Sequence, residues 1–406
     1  MCEKQRARRR ILRLCQRAAN AVLGFTTMLA PMLVPAQSAP AQTFTVLYSF
    51  KGVPDGAYPV AGLVMDGKRN LYGTTSGGGA SNNGTLFKLD ATGKEAVLYS
   101  FCMRTNCADG ASPVAPLLRD KGGILYGTTS NGGTSGNGVV FKLDVSGKET
   151  VLHRFAGDPK DGATPQAGLI RDGANNLYGT TSYGGSFGDG MVFKLNKANK
   201  ETVLYDFTGG MDGGNPQYGR LVRDSAGNLY GTTLTGGSFS CGGDGCGTVF
   251  KLNKAGKETV FHNFGSQEDG QTYANVIRDT AGNLYGTTAF GGPAGNGTVF
   301  KLDATGTETI LYSFIGGTDG GFPYGGLVQD AVGNLYGTTQ FGGASGWGVV
   351  FKLDPSGTET VLYSFTGGTD GGVPYGDLLR DGAGNLYGTT NLGGASNFGV
   401  VFKLAP

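Results

Sequence analysis

Apolar residues occur along this chain in short segments that are separated by glycine and polar residues. The clearest examples are Val-Leu-Tyr-Ser-Phe at 361–365, Gly-Leu-Val-Gln-Asp at 326–330, Gly-Asn-Leu-Tyr-Gly-Thr-Thr at 227–233 and Val-Phe-Lys-Leu-Asp at 350–354. Each is five to seven residues long, is rich in β-branched and aromatic residues, and is bounded by Gly, Asn or Asp. These features are typical of β-strands. The chain therefore cycles through four predicted strands.

The third of these segments shows that the cycle is a true repeat. Its core, Leu-Tyr-Gly-Thr-Thr, occurs seven times, and successive copies are 51 to 55 residues apart. The tyrosines of the seven copies are Tyr72, Tyr126, Tyr178, Tyr230, Tyr285, Tyr336 and Tyr387. A fixed period of this length indicates one supersecondary unit that is repeated. Four antiparallel strands per unit and seven units predict an all-β, seven-bladed β-propeller.

The phase of the repeat predicts how the ring closes. If the Gly-Leu-Val segment is the innermost strand, the chain begins with an outermost strand, at 43–50, that has no blade of its own. It ends at 402–404 with a blade that lacks its outermost strand. We expect these two strands to pair, because pairing removes an exposed sheet edge. The turns at 224–228 and 354–358 are tight, whereas the other connections are long and glycine-rich, so the two kinds should lie on opposite faces.

The segments quoted above resemble the GloVer tandem repeat, which occurs in secreted bacterial "choice-of-anchor" proteins. The resemblance covers residues 43–406 and implies an exported or surface protein whose biochemical role is unassigned. The Asp-x-x-Gly-Asn-Leu-Tyr hairpin is also distantly similar to the blade of NHL-type propellers. That similarity supports the fold and says little about function.

The first forty residues do not belong to the repeat. Six arginines between residues 6 and 17 precede an apolar stretch at 18–34, and Ala-Pro-Ala follows at 39–41. This order predicts a secretory signal peptide over residues 1–41. The alternative is an uncleaved membrane anchor, but the apolar stretch is short and is interrupted by Pro31 and Pro35. Residues 42–406 are then a secreted propeller, extracellular or periplasmic, which we expect to be a monomer without a membrane span.

Composition argues against a helical protein and against a nucleic-acid-binding protein. Glycine supplies 76 of 406 residues, and glycine is unfavourable inside helices. Lys and Arg total 33 against 31 for Asp and Glu, and most of the basic excess lies in the first seventeen residues. The repeats therefore have no basic surface of the kind that binds nucleic acid.

Two cysteine pairs lie in long loops of the repeat region, Cys102 with Cys107 and Cys241 with Cys246. After a signal peptide, pairs at this spacing predict two local disulfides. A metal site is the alternative, although two cysteines without a neighbouring histidine are too few ligands for zinc.

Little in the repeats predicts catalysis. His153 and His262 replace a tyrosine found in five other repeats, and they fall in blades that are not adjacent. Of the 31 carboxylates, 24 occur at four fixed positions of the repeat, which leaves no evident acid–base pair. Each Asp-Gly loop offers one regular aspartate, which suits turn capping better than calcium. We therefore expect no cofactor, with calcium as the alternative.

Candidate ligand-binding residues are found where the repeats differ. Just before the innermost strand, Arg220, Asn275 and Asp377 stand where other repeats have glycine or proline, and this position should face the channel mouth. The long loops add the aromatic residues Tyr183, Phe187, Phe290, Phe341 and Trp347. Exposed aromatic rings beside polar groups suit a flat glycan or a protein segment. The alternative is that these rings pack against neighbouring blades.

The sequence thus favours a non-catalytic binding or scaffold module that uses the long-loop face for a glycan or protein ligand. The second interpretation is an extracellular enzyme at the channel mouth, a glycan lyase or hydrolase or a lactonase-like protein. The third is a structural component of the cell envelope.

Overall fold

The computed structural model describes residues 42–157, 159–238, 243–265 and 270–406. Within these ranges the chain forms seven four-stranded antiparallel sheets and no α-helix, which confirms the seven-bladed β-propeller. We number the blades 1 to 7 from the innermost strand Val64–Met65. The predicted signal peptide lies outside the described residues and stays a prediction. No helix in the described part of the chain is long and apolar enough to span a membrane.

The two inner strands of each blade have the following bounds. The innermost strands are Val64–Met65, Leu118–Arg119, Ile170–Arg171, Val222–Arg223, Ile277–Arg278, Val328–Gln329 and Leu379–Arg380. The second strands are Leu71–Thr75, Leu125–Thr129, Leu177–Thr181, Leu229–Thr233, Leu284–Thr288, Leu335–Thr339 and Leu386–Thr390. The innermost strands are shorter than predicted because the aspartate that follows each one already belongs to the tight turn, as Asp66 does.

The two outer strands of each blade have the following bounds. The third strands are Thr85–Leu89, Val139–Leu143, Met191–Leu195, Thr248–Leu252, Thr298–Leu302, Val349–Leu353 and Val400–Ala405. The outermost strands of blades 1 to 6 are Glu95–Ser100, Glu149–Arg154, Glu201–Asp206, Glu258–Asn263, Glu308–Ser313 and Glu359–Ser364. A short 3-10 helix, Thr105–Cys107, lies in the loop between blades 1 and 2.

The N-terminal strand closes the ring as predicted. Thr43–Ser49 pairs antiparallel with Val400–Ala405 and supplies the outermost strand of blade 7. The pairing runs from Thr43 opposite Ala405 to Ser49 opposite Val400. The first and last strands of the propeller thus share one sheet.

Phenylalanines form the core between blades. The fully buried Phe101, which follows the outermost strand of blade 1, meets Phe141 of blade 2 edge to face at 5.0 Å. The same contact joins Phe50 to Phe87 at 5.1 Å. Within the blade, Phe87 lies over Gly73 of the Leu-Tyr-Gly-Thr-Thr strand, where a Cβ atom would be 2.7 Å from Cζ of the ring. The glycine of the repeated segment is therefore required by close packing.

The first threonine of the repeated segment connects one blade to the next. Thr74 Oγ1 donates to the carbonyl oxygen of Ala115 at 3.3 Å, and Thr389 Oγ1 donates to that of Ala61 at 3.1 Å across the closure. Six such bonds link consecutive blades among the described residues. Each bond joins the second strand of one blade to the segment that precedes the innermost strand of the next blade.

The tyrosine of the repeated segment serves the tight turn. Tyr72 Oη donates to Asp66 Oδ2 at 3.1 Å, and the backbone and side chain of Asn70 donate to the same carboxylate. Burial opposes ionisation of Asp66, but these hydrogen bonds lower its pKa to about 2. The most regular residues of the repeat are thus explained by the fold.

Candidate functional site

The long loops of each blade lie on one face, where they pair with each other. In blade 6, Gly321 pairs with Phe341, and in blade 7, Gly372 pairs with Leu392. These pairs join the loop that enters a blade to the loop between its second and third strands. The face carries a disulfide between Cys102 and Cys107. The second predicted pairing stays a prediction because Cys241 lies outside the described residues.

The three polar residues singled out by position line the central channel together. Arg220, Asn275 and Asp377 surround a cavity of about 550 Å³. Asp377 Oδ1 accepts a hydrogen bond from the backbone N–H of Gly326 at 2.6 Å. With its amide nitrogen turned toward Asp377, Asn275 donates to Oδ2 at 2.9 Å. These bonds connect blades 5, 6 and 7 at the channel wall and hold the carboxylate in place.

A second cavity, of about 370 Å³, opens above the channel on the long-loop side, and we call it the mouth pocket. Five tyrosines line it. Four of them, Tyr218, Tyr273, Tyr324 and Tyr375, come from the same position of four consecutive blades, and the fifth is Tyr58. Asp377 lines both cavities and thus lies where they meet. Val60 and Val114 of blades 1 and 2 also line the pocket.

The mouth tyrosines contact each other closely. The ring centroids of Tyr273 and Tyr324 are 4.6 Å apart, and those of Tyr324 and Tyr375 are 5.4 Å apart. The hydroxyl of Tyr218 accepts a hydrogen bond from Gln166 Nε2 at 3.4 Å. Burial, followed by the neighbouring phenols, raises the pKa of Tyr324 to about 12. The phenol of Tyr324 is therefore neutral at physiological pH. All four tyrosine side chains line the pocket.

Sequence reasoning missed these tyrosines, although the repeats contained a signal. They stand two residues before the position of Arg220, Asn275, Gly326 and Asp377. At this position blades 1 to 3 have Val60, Val114 and Gln166 instead. A comparison of this column across the repeats would have found them.

The predicted loop aromatics do not line the mouth pocket. Tyr183 and Phe187 are exposed on the long-loop face, by 48% and 59%. Phe290 contacts the mouth tyrosine Tyr273 edge to face at 6.4 Å. Tyr183 lies near another mouth tyrosine, Tyr218. Phe341 packs on Phe322 at 5.9 Å.

Trp347 is half-exposed and packs on a neighbouring loop. A Cβ atom added to Gly367 would lie 2.3 Å from its ring, and one added to Gly372 would lie 2.9 Å from it. The indole therefore covers the loop that enters blade 7. The structure thus separates the predicted residues into a channel group and an outer group of aromatic rings.

The loop aspartates cap their turns. Asp55 accepts hydrogen bonds from Tyr48 Oη at 2.8 Å and from the backbone N–H groups of Lys51 and Gly56 at 3.0 and 2.7 Å. A glutamate from the next blade, Glu95, lies close to this carboxylate. Burial, followed by the charge of Asp55, raises the pKa of Glu95 to about 7. The outer part of this interface, between blades 7 and 1, therefore combines a tyrosine, an aspartate and a glutamate.

The interface between blades 2 and 3 departs from this pattern. His153 replaces the tyrosine, and its Nε2 atom lies 3.3 Å from Asp161 Oδ1 and 3.7 Å from Glu201 Oε1. One ligand atom from each of the three residues lies within 4.8 Å of the others. Each of these three residues has a structural explanation from its position in the repeat. The sequence did not predict that the three lie close together.

Comparison with solved structures finds the same fold at low sequence identity. Virginiamycin B lyase from Staphylococcus aureus superposes with a TM-score of 0.59 at 12% identity, over 90% of this chain and 99% of the lyase. The extracellular domain of a protein proposed to be a one-component system of B. thetaiotaomicron superposes with a TM-score of 0.53 at 12% identity, over 87% of this chain and 40% of that one. Identities this low support the fold and not an activity.

The sequence comparisons give the family. No significant match is found among curated proteins. The Gloeobacter/Verrucomicrobia repeat matches residues 36–244, 117–332 and 240–406, and these three ranges together extend over the whole propeller. The match agrees with the GloVer resemblance of the repeated segments. The chain therefore belongs to the Gloeobacter/Verrucomicrobia repeat family.

Proposed function

We propose that this protein is a secreted, monomeric, non-catalytic binding propeller whose mouth pocket takes a glycan. The observation that carries the proposal is the wall of four tyrosines from consecutive blades, with Asp377 at its base. Phenol rings offer flat apolar faces for a sugar ring, and their hydroxyl groups can donate and accept hydrogen bonds. A fixed carboxylate below them suits the hydroxyl groups of a sugar.

The size and charge of the mouth pocket also support a glycan ligand. Its volume of about 370 Å³ falls within the range of small-ligand sites. Among the described residues that line it, none is lysine or arginine, and Asp377 is the one carboxylate. Such a lining favours an uncharged ligand over an acidic one, and a pocket of this size takes one or a few sugar units rather than a folded protein surface.

An extracellular enzyme at the channel mouth is less well supported. Hydrolysis of a glycosidic bond generally uses two carboxyl groups that flank the bond. The described lining of the mouth pocket offers only Asp377, which is already engaged by Gly326 and Asn275. Turnover of a polysaccharide or a lactone by the purified protein would contradict the binding proposal.

The proposal is tested by screening the purified full-length protein against immobilised glycans and measuring the best ligand by calorimetry. We expect Tyr324→Ala to weaken binding about tenfold or more, because central aromatic anchors dominate binding energy. The control is Phe187→Ala, which removes a more exposed ring from the same face but outside the pocket. Binding that survives Tyr324→Ala but is lost in Trp347→Ala would contradict the pocket assignment, and capture of a protein but no glycan would contradict the ligand class.

A further inference from the structure

We propose that His153, Asp161 and Glu201 form a binding site for a divalent transition metal between blades 2 and 3. Zn²⁺ is the ion that we use to test the proposal. The site is separate from the channel and the mouth pocket. It lies at the outer part of the ring, where His153 belongs to the outermost strand of blade 2 and Glu201 begins that of blade 3. A bound ion would join the two blades.

The interfaces that have a tyrosine at the position of His153 show that the fold itself does not need a histidine there. At five of them a tyrosine hydroxyl donates to the loop aspartate at 2.8 to 3.1 Å, as Tyr205 does to Asp212 at 2.9 Å. A phenol therefore satisfies the aspartate without any ion. His153 supplies a nitrogen that can bind a metal, whereas a neutral phenol is a poor ligand.

The distances match a metal site. Zinc binds nitrogen and oxygen at about 2.0–2.2 Å, which places the ligand atoms of a tetrahedral site about 3.4 Å from each other. His153 Nε2 lies 3.3 Å from Asp161 Oδ1 and 3.7 Å from Glu201 Oε1. An ion between these atoms thus requires only small movements of the side chains.

The donor set and its exposure also fit. One imidazole and two carboxylates suit Zn²⁺ with a fourth position open to water. Oε1 of Glu201 is shielded from solvent and has no hydrogen-bond partner among the described residues, so it is available as a ligand. The three side chains remain 15 to 18% exposed, so an ion can enter from solvent. Two positive charges would also offset the burial of two carboxylates close together.

The test must separate this site from its counterpart. His262 occupies the same position between blades 4 and 5, 3.7 Å from Glu308, and its loop aspartate, Asp269, lies outside the described residues. The test therefore uses the full chain without a tag, treated with a chelator, and carrying His262→Tyr to remove the counterpart histidine. Calorimetry with Zn²⁺ should give one bound ion per chain, and Co²⁺ should give a visible absorption band.

Adding His153→Tyr installs the residue used by five other interfaces and should preserve the fold. We expect the stoichiometry to fall from one ion to none and the Co²⁺ band to disappear. Glu201→Gln, which keeps the shape of the side chain, should weaken Zn²⁺ binding at least about tenfold and provides a second variant if the first one is unstable. Absence of Zn²⁺ binding in the His262→Tyr protein, or unchanged binding after His153→Tyr is added, would overturn the proposal.

Discussion

At the scale of single residues, identical positions of the repeat differ in their hydrogen bonding. Thr389 and Thr338 are both buried in the same position of the second strand. Thr389 Oγ1 donates to the carbonyl oxygen of Ala61, whereas Thr338 Oγ1 has no partner among the described residues. The same substitution should therefore have different costs at the two sites.

We expect Thr389→Val to lower the free energy of unfolding by about 1–2 kcal/mol, because it leaves the Ala61 carbonyl without its buried donor. Thr338→Val should be neutral or stabilising, because it replaces an unpaired hydroxyl by a methyl group of similar size. Urea unfolding of the two variants beside the unmodified protein checks the pair. Equal losses would show that the hydroxyl bonds between blades contribute nothing.

The buried glutamates give the protein a pH dependence. Burial, followed by the charge of Asp319, raises the pKa of Glu359 from 4.5 to about 7. The folded protein thus keeps a proton that the unfolded chain releases. Stability from this group is fully present below pH 4.5 and is lost as the pH rises through about 7.

Glu359→Gln mimics the protonated side chain and should remove this loss. At pH 8 the variant should be more stable than the unmodified protein by about 1 kcal/mol, a value reduced to allow for partial solvent screening. At pH 4, below the pKa of this group in the unfolded chain, the advantage should nearly vanish, which makes that measurement the internal control. Urea unfolding at both pH values tests the expectation, and a difference that does not change with pH would contradict it.

At the scale of the strand, Leu-Tyr-Gly-Thr-Thr is a structural signature. Its tyrosine donates to the tight turn, its first threonine binds the next blade, and its glycine admits a phenylalanine ring. In blade 6, a Cβ atom at Gly337 would lie 2.7 Å from Phe351 Cζ and 3.0 Å from Leu327 Cδ2. The segment recurs because each blade has to satisfy the same contacts.

Gly337→Ala should destabilise the protein by about 1–3 kcal/mol through overpacking of the core. Gly382→Ala is the matched control, since nothing lies within 4 Å of its added Cβ atom and its position is exposed. Thermal unfolding should show a lower midpoint for the first variant and little change for the second. A similar midpoint for both would contradict the close-packing explanation.

At the scale of the whole molecule, the interface between blades 6 and 7 has an aromatic contact where the other interfaces have a glutamate. Phe44 stands where the other outermost strands have a glutamate, and it stacks on Tyr363 with ring centroids 3.8 Å apart. It also contacts Phe365 and Phe402. The N-terminal strand thus covers the edge of blade 7 and packs on blade 6.

Removal of Thr43–Ser49 should lower the unfolding midpoint and cause association, because Val400–Ala405 then becomes an unpaired edge strand. A synthetic peptide of residues 42–50 added during refolding should restore the monomer by strand addition. The same peptide with Phe44→Ala should restore it less well. Size-exclusion chromatography and thermal unfolding measure the effect, and an unchanged monomer after the deletion would contradict it.

Much of the fold, but only part of the site, could be predicted. The four-strand cycle, the turns and the unpaired first strand are local or periodic features, so they led to the propeller and its closure. Arg220, Asn275 and Asp377 could be placed at the channel because they share one position of the repeat, and residues at this position from five blades line the same cavity. The mouth tyrosines occupy a second position of the same repeats, two residues earlier, where blades 1 to 3 have other residues.

The sequence by itself determined the blade, its strand order and the closure of the ring, because the signals for strands and turns lie within each repeat of 51 to 55 residues. Only the tertiary structure decided which variable side chains share a cavity. Tyr218 and Tyr375 come from different blades, as do His153 and Glu201, and each pair lies far apart along the chain. Such residues meet because closure of the ring brings separate blades together, and the pattern within a single repeat does not contain their distances.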